Sequence, residues 1–348
     1  MTRNLVRYGS LVGAVGLLGA AGGGGAATAV PHYPGTGGLG TSRPATSRTV
    51  AATAPAGAGG APGGEVVPDL ARPCGTLTGR PVVHEVLLIW EENHGYSSVI
   101  GNPAAPELNR LATKCGLATR YDALTHPSLP NYMEMTSAQS FASSPWDTDC
   151  GPGGSCATAV PSVFSELDAA GRQWRSYVEA MGSNCGLASY GEYGTKHNPA
   201  VYYTNIRREC GTWDQPLGAT ASGPLHQALA SGPSVGLTTV TPDLQDDMHD
   251  GTVAQADNWV AGWLPQILAS PAYRSGRLAV LIVWDEGEGS GNVPSHVPLI
   301  VMSASTPAGT RSAMAFDDYS VLRTVCQLNG VPDLGRASAA SLLGPFHL

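Results

Sequence analysis

The chain has 348 residues, 42% of them hydrophobic, and a formal net charge of −8 that becomes about −10 once Arg3 and Arg7 of the leader are removed. Such a surface does not attract polyanions, which argues against a nucleic-acid-binding module and means that a phosphate substrate must be held by a local cation and local donors. None of the seven cysteines forms a Cys-x-x-Cys pair, which argues against a thiolate metal centre or a thiol-exchange site.

Residues 1–29 combine Arg3 and Arg7, an apolar run from Leu11 to Leu18 and a small-residue site at Ala27-Thr28-Ala29. This is the pattern of a secretory signal peptide; the run is too short, and too quickly lost in glycine, for a membrane anchor. Residues 30–65 are rich in Gly, Pro and Ala and too poor in large apolar side chains to offset the entropy of ordering. They are expected to be a disordered linker, long enough to act as a tether in a cell wall. Residues 66–348 remain as one catalytic-sized domain, secreted to the extracellular side. In that oxidising compartment Cys150/Cys156 and Cys185/Cys210 are spaced to close local loops, and the odd count leaves at least one thiol free or paired outside the chain.

The domain opens on Val86-Leu87-Leu88-Ile89-Trp90, an apolar run expected to be a strand buried on both faces, followed at once by Glu91, Glu92, Asn93 and His94. Pro106, Leu108, Leu111 and Ala112 then recur at helical spacing up to Cys115-Gly116, as the crossover helix of a βαβ unit would. Next comes Thr125-His126-Pro127-Ser128-Leu129-Pro130-Asn131, a stiff turn with a helix expected from Tyr132. Phe141–Val160 reads as a looped excursion, Ser162–Ala170 as a helix and Gln173–Val178 as a short strand. Cys185–Trp213 reads as a polar and aromatic insertion outside the core, placed to select substrate. Gly236–Val240 is a second buried strand running into Asp243, Asp246, Asp247, His249 and Asp250, and a helix follows through Val253, Trp259 and Leu268. Leu278–Trp284 is a third strand, ending in Asp285-Glu286, and Val297–Met302 a fourth, preceded by His296. Tyr319–Cys326 is the last predicted helix. Strands alternating with helices indicate the α/β class, with a mostly parallel central sheet.

Open α/β sheets keep their ligands at the carboxyl ends of the strands. Three strand ends carry acids there, Glu91/Glu92, Asp246/Asp247 and Asp285/Glu286, with His249 and His296 beside them. Oxygen and imidazole donors from separate segments are what a divalent metal ion requires. Adjacent side chains at a strand end point opposite ways, so Glu92 and Asp285 lead this set and Glu91, Glu286 and Glu288 follow. In the Thr125–Asn131 turn, a hydroxyl presented to a metal would become a nucleophile, and Asn131 is a donor for an oxygen gaining charge. A Walker-type phosphate loop is missing, as is Gly-x-Gly-x-x-Gly after a strand, so nucleoside triphosphate and dinucleotide chemistry lack support.

Four ordered segments, EENHGYSSVIGNPAAPELNRLA, THPSLPNYMEMTS, TPDLQDDMHDG and VLIVWDEGEG with HVPLIVMS, resemble a secreted phosphoesterase family. That family holds acid phosphatases and phospholipase-C-type enzymes within the alkaline-phosphatase superfamily. The resemblance implies an alkaline-phosphatase-like fold, helices on both faces of the sheet, and hydrolysis of a phosphate ester through a covalent intermediate. It implies Glu92, Asn93, Asp247, His249, Asp285, Glu286 and His296 as metal ligands. Ser128 is the implied nucleophile with Thr125 its rival, Asn131 contacts the phosphoryl oxygens, and His249 also serves in activating water. Glu286 replaces a histidine of two-zinc relatives, so calcium, magnesium and zinc all stay open as the divalent metal ion. The implied substrates are small-molecule or lipid phosphate esters, phosphoinositides among them, with no nucleic acid partner and no stable membrane insertion after leader cleavage. A phospholipase-C-type phosphodiesterase and a non-catalytic, metal-stabilised cell-wall protein stay open as alternatives, and the oligomeric state is not implied.

Overall fold

Glu85–Glu91 form strand β1, seven residues that are all buried. A strand with neither face exposed has to be covered from both sides, as in parallel sheets packed between helices. The computed structural model describes residues 67–348 apart from 80, 81, 233 and 292. The expected leader at 1–29 and the linker at 30–65 lie outside the described residues.

The strands that follow are β2 (Gly116–Ala118), β3 (Tyr121–Ala123), β4 (Trp174–Val178), β5 (Asp214–Pro216) and β6 (Leu237–Thr241). Then come β7 (Leu278–Trp284), β8 (Ser295–His296), β9 (Leu299–Ser303), β10 (Thr310–Ser312) and β11 (Phe316–Asp317). Eight of them make one sheet in the order β10-β2-β9-β7-β1-β6-β4-β5, and β11-β3-β8 make a small second sheet. In the large sheet only β9 runs antiparallel to its neighbours β2 and β7. The mostly parallel sheet expected from the strand pattern is therefore present.

The helices are α1 (Tyr96–Val99), α2 (Pro106–Lys114), α3 (Ser128–Ser137), α4 (Val163–Ala169) and α5 (Arg207–Trp213), followed by α6 (Pro224–Ser231), α7 (Val253–Ala269), α8 (Pro271–Arg274) and α9 (Asp318–Asn329). They gather in two groups, α2, α6 and α8 against α7, and α3 and α4 against α9. Ser162, Thr252 and Asp317 start α4, α7 and α9 with reciprocal capping boxes, each cap contributing ~1 kcal/mol by satisfying an otherwise open N–H. Gly330, at φ 66°, ends α9 in the left-handed conformation that glycine tolerates.

Two segments differ from expectation. Helix α3 begins at Ser128, not Tyr132, because Pro130 falls in the first turn, where its missing N–H goes unneeded. Cys185–Trp213 is not peripheral: it folds into short helical turns at Thr195–His197, Pro199–Tyr202 and Thr204–Ile206 and then α5, with Val201, Tyr202 and Tyr203 fully buried. Its apolar and aromatic residues follow neither strand nor helix periodicity, so periodicity does not reveal that they are core. Disulfides join Cys74 to Cys115, Cys150 to Cys156 and Cys185 to Cys210, and Cys326 is a buried free thiol. Among the described residues no helix is long and apolar enough to cross a membrane.

Candidate active site at the strand ends

Strands β7, β1 and β6 lie side by side and parallel, so their carboxyl ends share one rim. Backbone bonding continues just past them: Glu92 N donates to Asp247 O at 2.7 Å, and Asp285 N donates to Glu91 O at 3.1 Å. Glu92, Asp247 and Asp285 are thereby set close together, each buried. Two residues on this rim take left-handed backbone, Asn93 at φ 42° and Met248 at φ 80°. Asparagine tolerates that region; for methionine it is unusual, and it inverts the chain between Asp247 and His249 so that Met248 is buried beneath them.

The carboxylate of Glu92 is the centre. On one side Ser128 Oγ donates to Glu92 Oε2 at 3.1 Å and lies 3.5 Å from Glu286 Oε1. With its nitrogen turned inward, the Asn93 amide donates to Glu92 Oε2 at 2.7 Å and to Glu286 Oε1 at 3.3 Å; turned the other way, its oxygen faces both carboxylates. Asn93 N also points to Asp285 Oδ1, at 3.5 Å. His126 Nδ1 lies 2.7 Å from Glu286 Oε2. On the other side the Tyr132 hydroxyl donates to Glu92 Oε1, and His197 spans from Glu92 Oε1 (Nε2, 3.1 Å) to Asp247 Oδ2 (Nδ1, 3.1 Å), its ring stacked on Tyr132. Beyond it stands His249, whose Nδ1 is 2.8 Å from Asp250 Oδ1 and whose Nε2 accepts from Lys196 Nζ at 2.8 Å. Lys196 is paired with Asp149 at 3.3 Å. Asn93, Lys196 and His249 are only half-buried and mark the mouth.

Burial, then the neighbouring carboxylates, raise Glu92 well above its ordinary pKa; burial does most to raise Asp247 as well. Burial lifts Asp285 to about 7 and, with Asp285 beside it, Glu286 to about 9. Burial likewise pushes His197 well below the usual imidazole value. Burial opposes the charge of Lys196, but Glu92 and Asp149 outweigh it and raise its pKa. Four crowded acids are stable as anions only if something positive lies among them.

Asp285 Oδ2, buried and without a hydrogen bond among the described residues, and His197 Nε2, which faces the Glu92 carboxylate without a well-formed hydrogen bond, belong to this cluster. Together with Glu92, Asn93, Glu286 and Ser128 they form a donor set that fits a divalent cation: mostly oxygen on the Ser128 side, imidazole on the other. Glu92, His197 and His249 each offer a ligand atom within 4.8 Å of the others. A group that contains cysteine, Cys185, Cys210 and Asp214, offers no thiolate because its cysteines are bonded to each other.

Of the residues expected from sequence, Glu92, Asn93, Ser128, Asp285 and Glu286 meet on one side of the site and Asp247 and His249 border the other. Three do not join them. His296 is exposed and stacked on Tyr96 at 4.5 Å, because β8 pairs its backbone with Asp122 in the small sheet and holds it there. Asn131 is committed to the turn: its Oδ1 accepts from Thr125 N at 3.0 Å and its Nδ2 donates to Thr125 O at 2.9 Å, which leaves it a clamp and not a donor to phosphoryl oxygens. The Thr125 hydroxyl donates to the His126 carbonyl. Sequence alone does not single out Lys196, His197, Asp149, Tyr132 or the role of His126. The available signal is the pair Lys196-His197 set between Gly194-Thr195 and Asn198-Pro199, an ammonium and an imidazole in a punctuated turn. Residues 232–236 spell Gly-x-Ser-x-Gly, but they lead into β6 instead of out of a strand, and Ser234 donates to Glu85 Oε1 at 3.0 Å, so this is no nucleophile elbow.

Residues 90–332 match the Phosphoesterase family. The chain is 32% identical over 263 residues to a phosphatidylinositol-3-phosphatase of Mycobacterium tuberculosis, covering 75% of this chain and 81% of that one. It is 27% identical over 261 residues to a phosphate-repressible acid phosphatase of Penicillium chrysogenum, covering 71% of this chain but 59% of that longer protein. Among solved structures, the lipoteichoic acid synthase LtaP of Listeria monocytogenes superposes with a TM-score of 0.52 at 8% identity, over 74% of this chain and 76% of that one. An alkaline phosphatase superfamily protein of Vibrio parahaemolyticus gives 0.50 at 11% identity, over 77% and 72%. At such identities these two speak to the fold alone.

Proposed function

The chain belongs to the Phosphoesterase family and is a phosphoric ester hydrolase, and from that premise we propose that it is an exported, cation-dependent acid phosphatase. It hydrolyses phosphate monoesters, phosphoinositides among them, through a phosphoserine at Ser128. The observation that carries this reading is the contact of the Ser128 hydroxyl, first residue of α3, with the buried carboxylates Glu92 and Glu286. The positive end of a ten-residue helix is there to favour the phosphoryl group.

Glu92, Asn93, Asp285 and Glu286 would hold the cation, with His197 and His249 within reach on the far side. When bound, a divalent ion neutralises these carboxylates, binds phosphoryl oxygens and makes a hydroxyl a better nucleophile. Ser128 attacks phosphorus while Glu92 or Glu286 takes its proton. Lys196 at the mouth faces the substrate's negative oxygens, and His249 gives a proton to the leaving oxygen as the phosphorus–oxygen bond breaks. Water then attacks the phosphoserine, His249 recovers a proton from it, and Ser128 departs with the proton it lost. The mycobacterial and fungal relatives are named as a phosphatidylinositol-3-phosphatase and an acid phosphatase, both monoester cleavages, which favours a monoesterase over a diesterase. Three disulfides and the leader pattern support export.

The test compares p-nitrophenyl phosphate with bis-p-nitrophenyl phosphate on the purified chain, before and after chelation. The expected result is faster monoester cleavage at acid pH, lost on chelation and restored by calcium, magnesium or zinc. Faster diester cleavage would move the protein to the phospholipase-C-type reading. Cation-dependent melting without any hydrolysis would leave a binding protein and overturn the proposal.

A further inference from the structure

Strand alternation sends Glu91 to the opposite face of β1 from Glu92. Glu91 has no exposed surface, and among the described residues neither of its carboxylate oxygens has a hydrogen-bond partner. The groups that act on it electrostatically are Asp247, Asp246, Asp257 and Glu179, all acids. Close by, one carboxylate oxygen from each of Glu179, Asp243 and Asp246 lies within 4.8 Å of the others. Glu179 follows β4, Asp243 and Asp246 follow β6, and β4, β6 and β1 are consecutive in the sheet. Asp257 is committed elsewhere, accepting from Glu107 N and Leu108 N at the start of α2. Glu179 Oε2 accepts from Trp259 Nε1 at 2.7 Å and from Asp243 N at 3.3 Å, and Asp243 Oδ1 accepts from two backbone N–H groups of its own loop.

An isolated group of surface acids would mean little, since solvent screens it. A fully buried carboxylate without a single donor, set against that group, is different: leaving it unpaired costs several kcal/mol unless it is protonated or meets a cation. Donors that are all carboxylate oxygen, brought by two loops, suit a hard, calcium-class ion with flexible coordination. We propose that Glu179, Asp243 and Asp246 bind a divalent cation of the calcium class, with Glu91 as the buried counter-charge behind it, distinct from the Ser128 site. The loop so anchored is residues 241–250, which carries Asp247 and His249 into the active site on its other side. The ion therefore acts as a fastener that holds two active-site groups in place from the far side of their loop.

The test uses the full chain, stripped by a chelator and titrated with terbium, a luminescent probe of calcium sites excited through tryptophan. Trp259, bonded to Glu179, is the antenna. The expected result is sensitised emission that calcium displaces, unchanged in Asp285→Asn and weakened at least ~10-fold in apparent affinity by Asp246→Asn and by Glu179→Gln. Among the described residues no donor is recorded to the Asp246 carboxylate, so its variant is the least disturbing to the fold. Native mass spectrometry in calcium supplies a second readout that does not depend on which ion the Ser128 site takes: the wild type is expected to carry one calcium ion more per chain than Asp246→Asn. An equal calcium count in the wild type and Asp246→Asn, or emission lost in Asp285→Asn and kept in Asp246→Asn, overturns the proposal. Neither readout depends on hydrolysis, so a failure here is distinct from a failure of the phosphatase reading.

Discussion

Glu91 and Glu92 leave β1 as neighbours, with the same charge and no exposed surface on either, and they enter opposite environments. Glu92 receives Tyr132, Ser128 and a contact from His197, and shares its surroundings with the half-buried Lys196. Glu91 receives no donor among the described residues, and the charged groups that act on it are all acids. One side of the strand is built to handle a group that changes charge during a reaction; the other holds fixed negative charge that calls for a fixed positive partner. The lesson is that burial of a carboxylate says nothing about chemistry until its donors are counted.

The largest test of that contrast is Glu92→Gln, which removes charge from the centre of the site and should lower kcat for p-nitrophenyl phosphate by ~10³-fold or more. His197→Ala should follow at ~10²-fold in kcat, because it leaves Glu92 and Asp247 without their shared imidazole. Rescue of activity by free imidazole would show that the ring itself is what matters. A third carboxylate calibrates both sides. Asp214 is buried in neither cluster, held by Asn198 at 2.9 Å, and burial raises it to about 7 from an ordinary 3.8. The unfolded chain loses this proton first, so stability falls as pH rises through the window from about 4 to about 7. Asp214→Asn should flatten that part of the pH–stability curve, measured by denaturant melts, by on the order of 4 kcal/mol.

Glu91→Gln should raise the melting temperature of chelator-treated protein at alkaline pH by a few degrees, since it deletes a charge that has no donor; a ~1 kcal/mol gain corresponds to roughly 2–4 °C in a domain of this size. Glu92→Gln in the same experiment should not stabilise, because it disturbs donors already in place. The smallest effect belongs to His296→Ala. Stacked on Tyr96 away from Glu92, His296 should change kcat by less than ~3-fold, and a loss comparable to that of His197→Ala would return it to the ligand set.

Much of the fold was legible because its core strands are continuous apolar runs. Val86–Trp90, Gly236–Val240 and Leu278–Trp284 are each found in or within a residue of β1, β6 and β7. The acids at their ends were legible for the same reason, since a polar residue directly after a buried run has few places to go except the rim. Lys196 and His197 were not legible. They sit in a segment without periodicity, whose position follows from long-range packing of Tyr202 and Tyr203 and from the Cys185–Cys210 bond. His296 illustrates the reverse error: its sequence neighbourhood, just before an apolar strand, resembles a ligand position, yet a two-residue bridge to β3 decides where it goes.

The central claim is that Ser128 carries the phosphoryl group between the two half-reactions. It is tested most directly by mixing the enzyme with p-nitrophenyl phosphate, quenching in acid within a turnover and locating the covalent phosphate by peptide mass spectrometry. Phosphate on Ser128, absent from Ser128→Ala protein, is the predicted result. Phosphate on Thr125, or full turnover by Ser128→Ala with no labelled peptide, would contradict it.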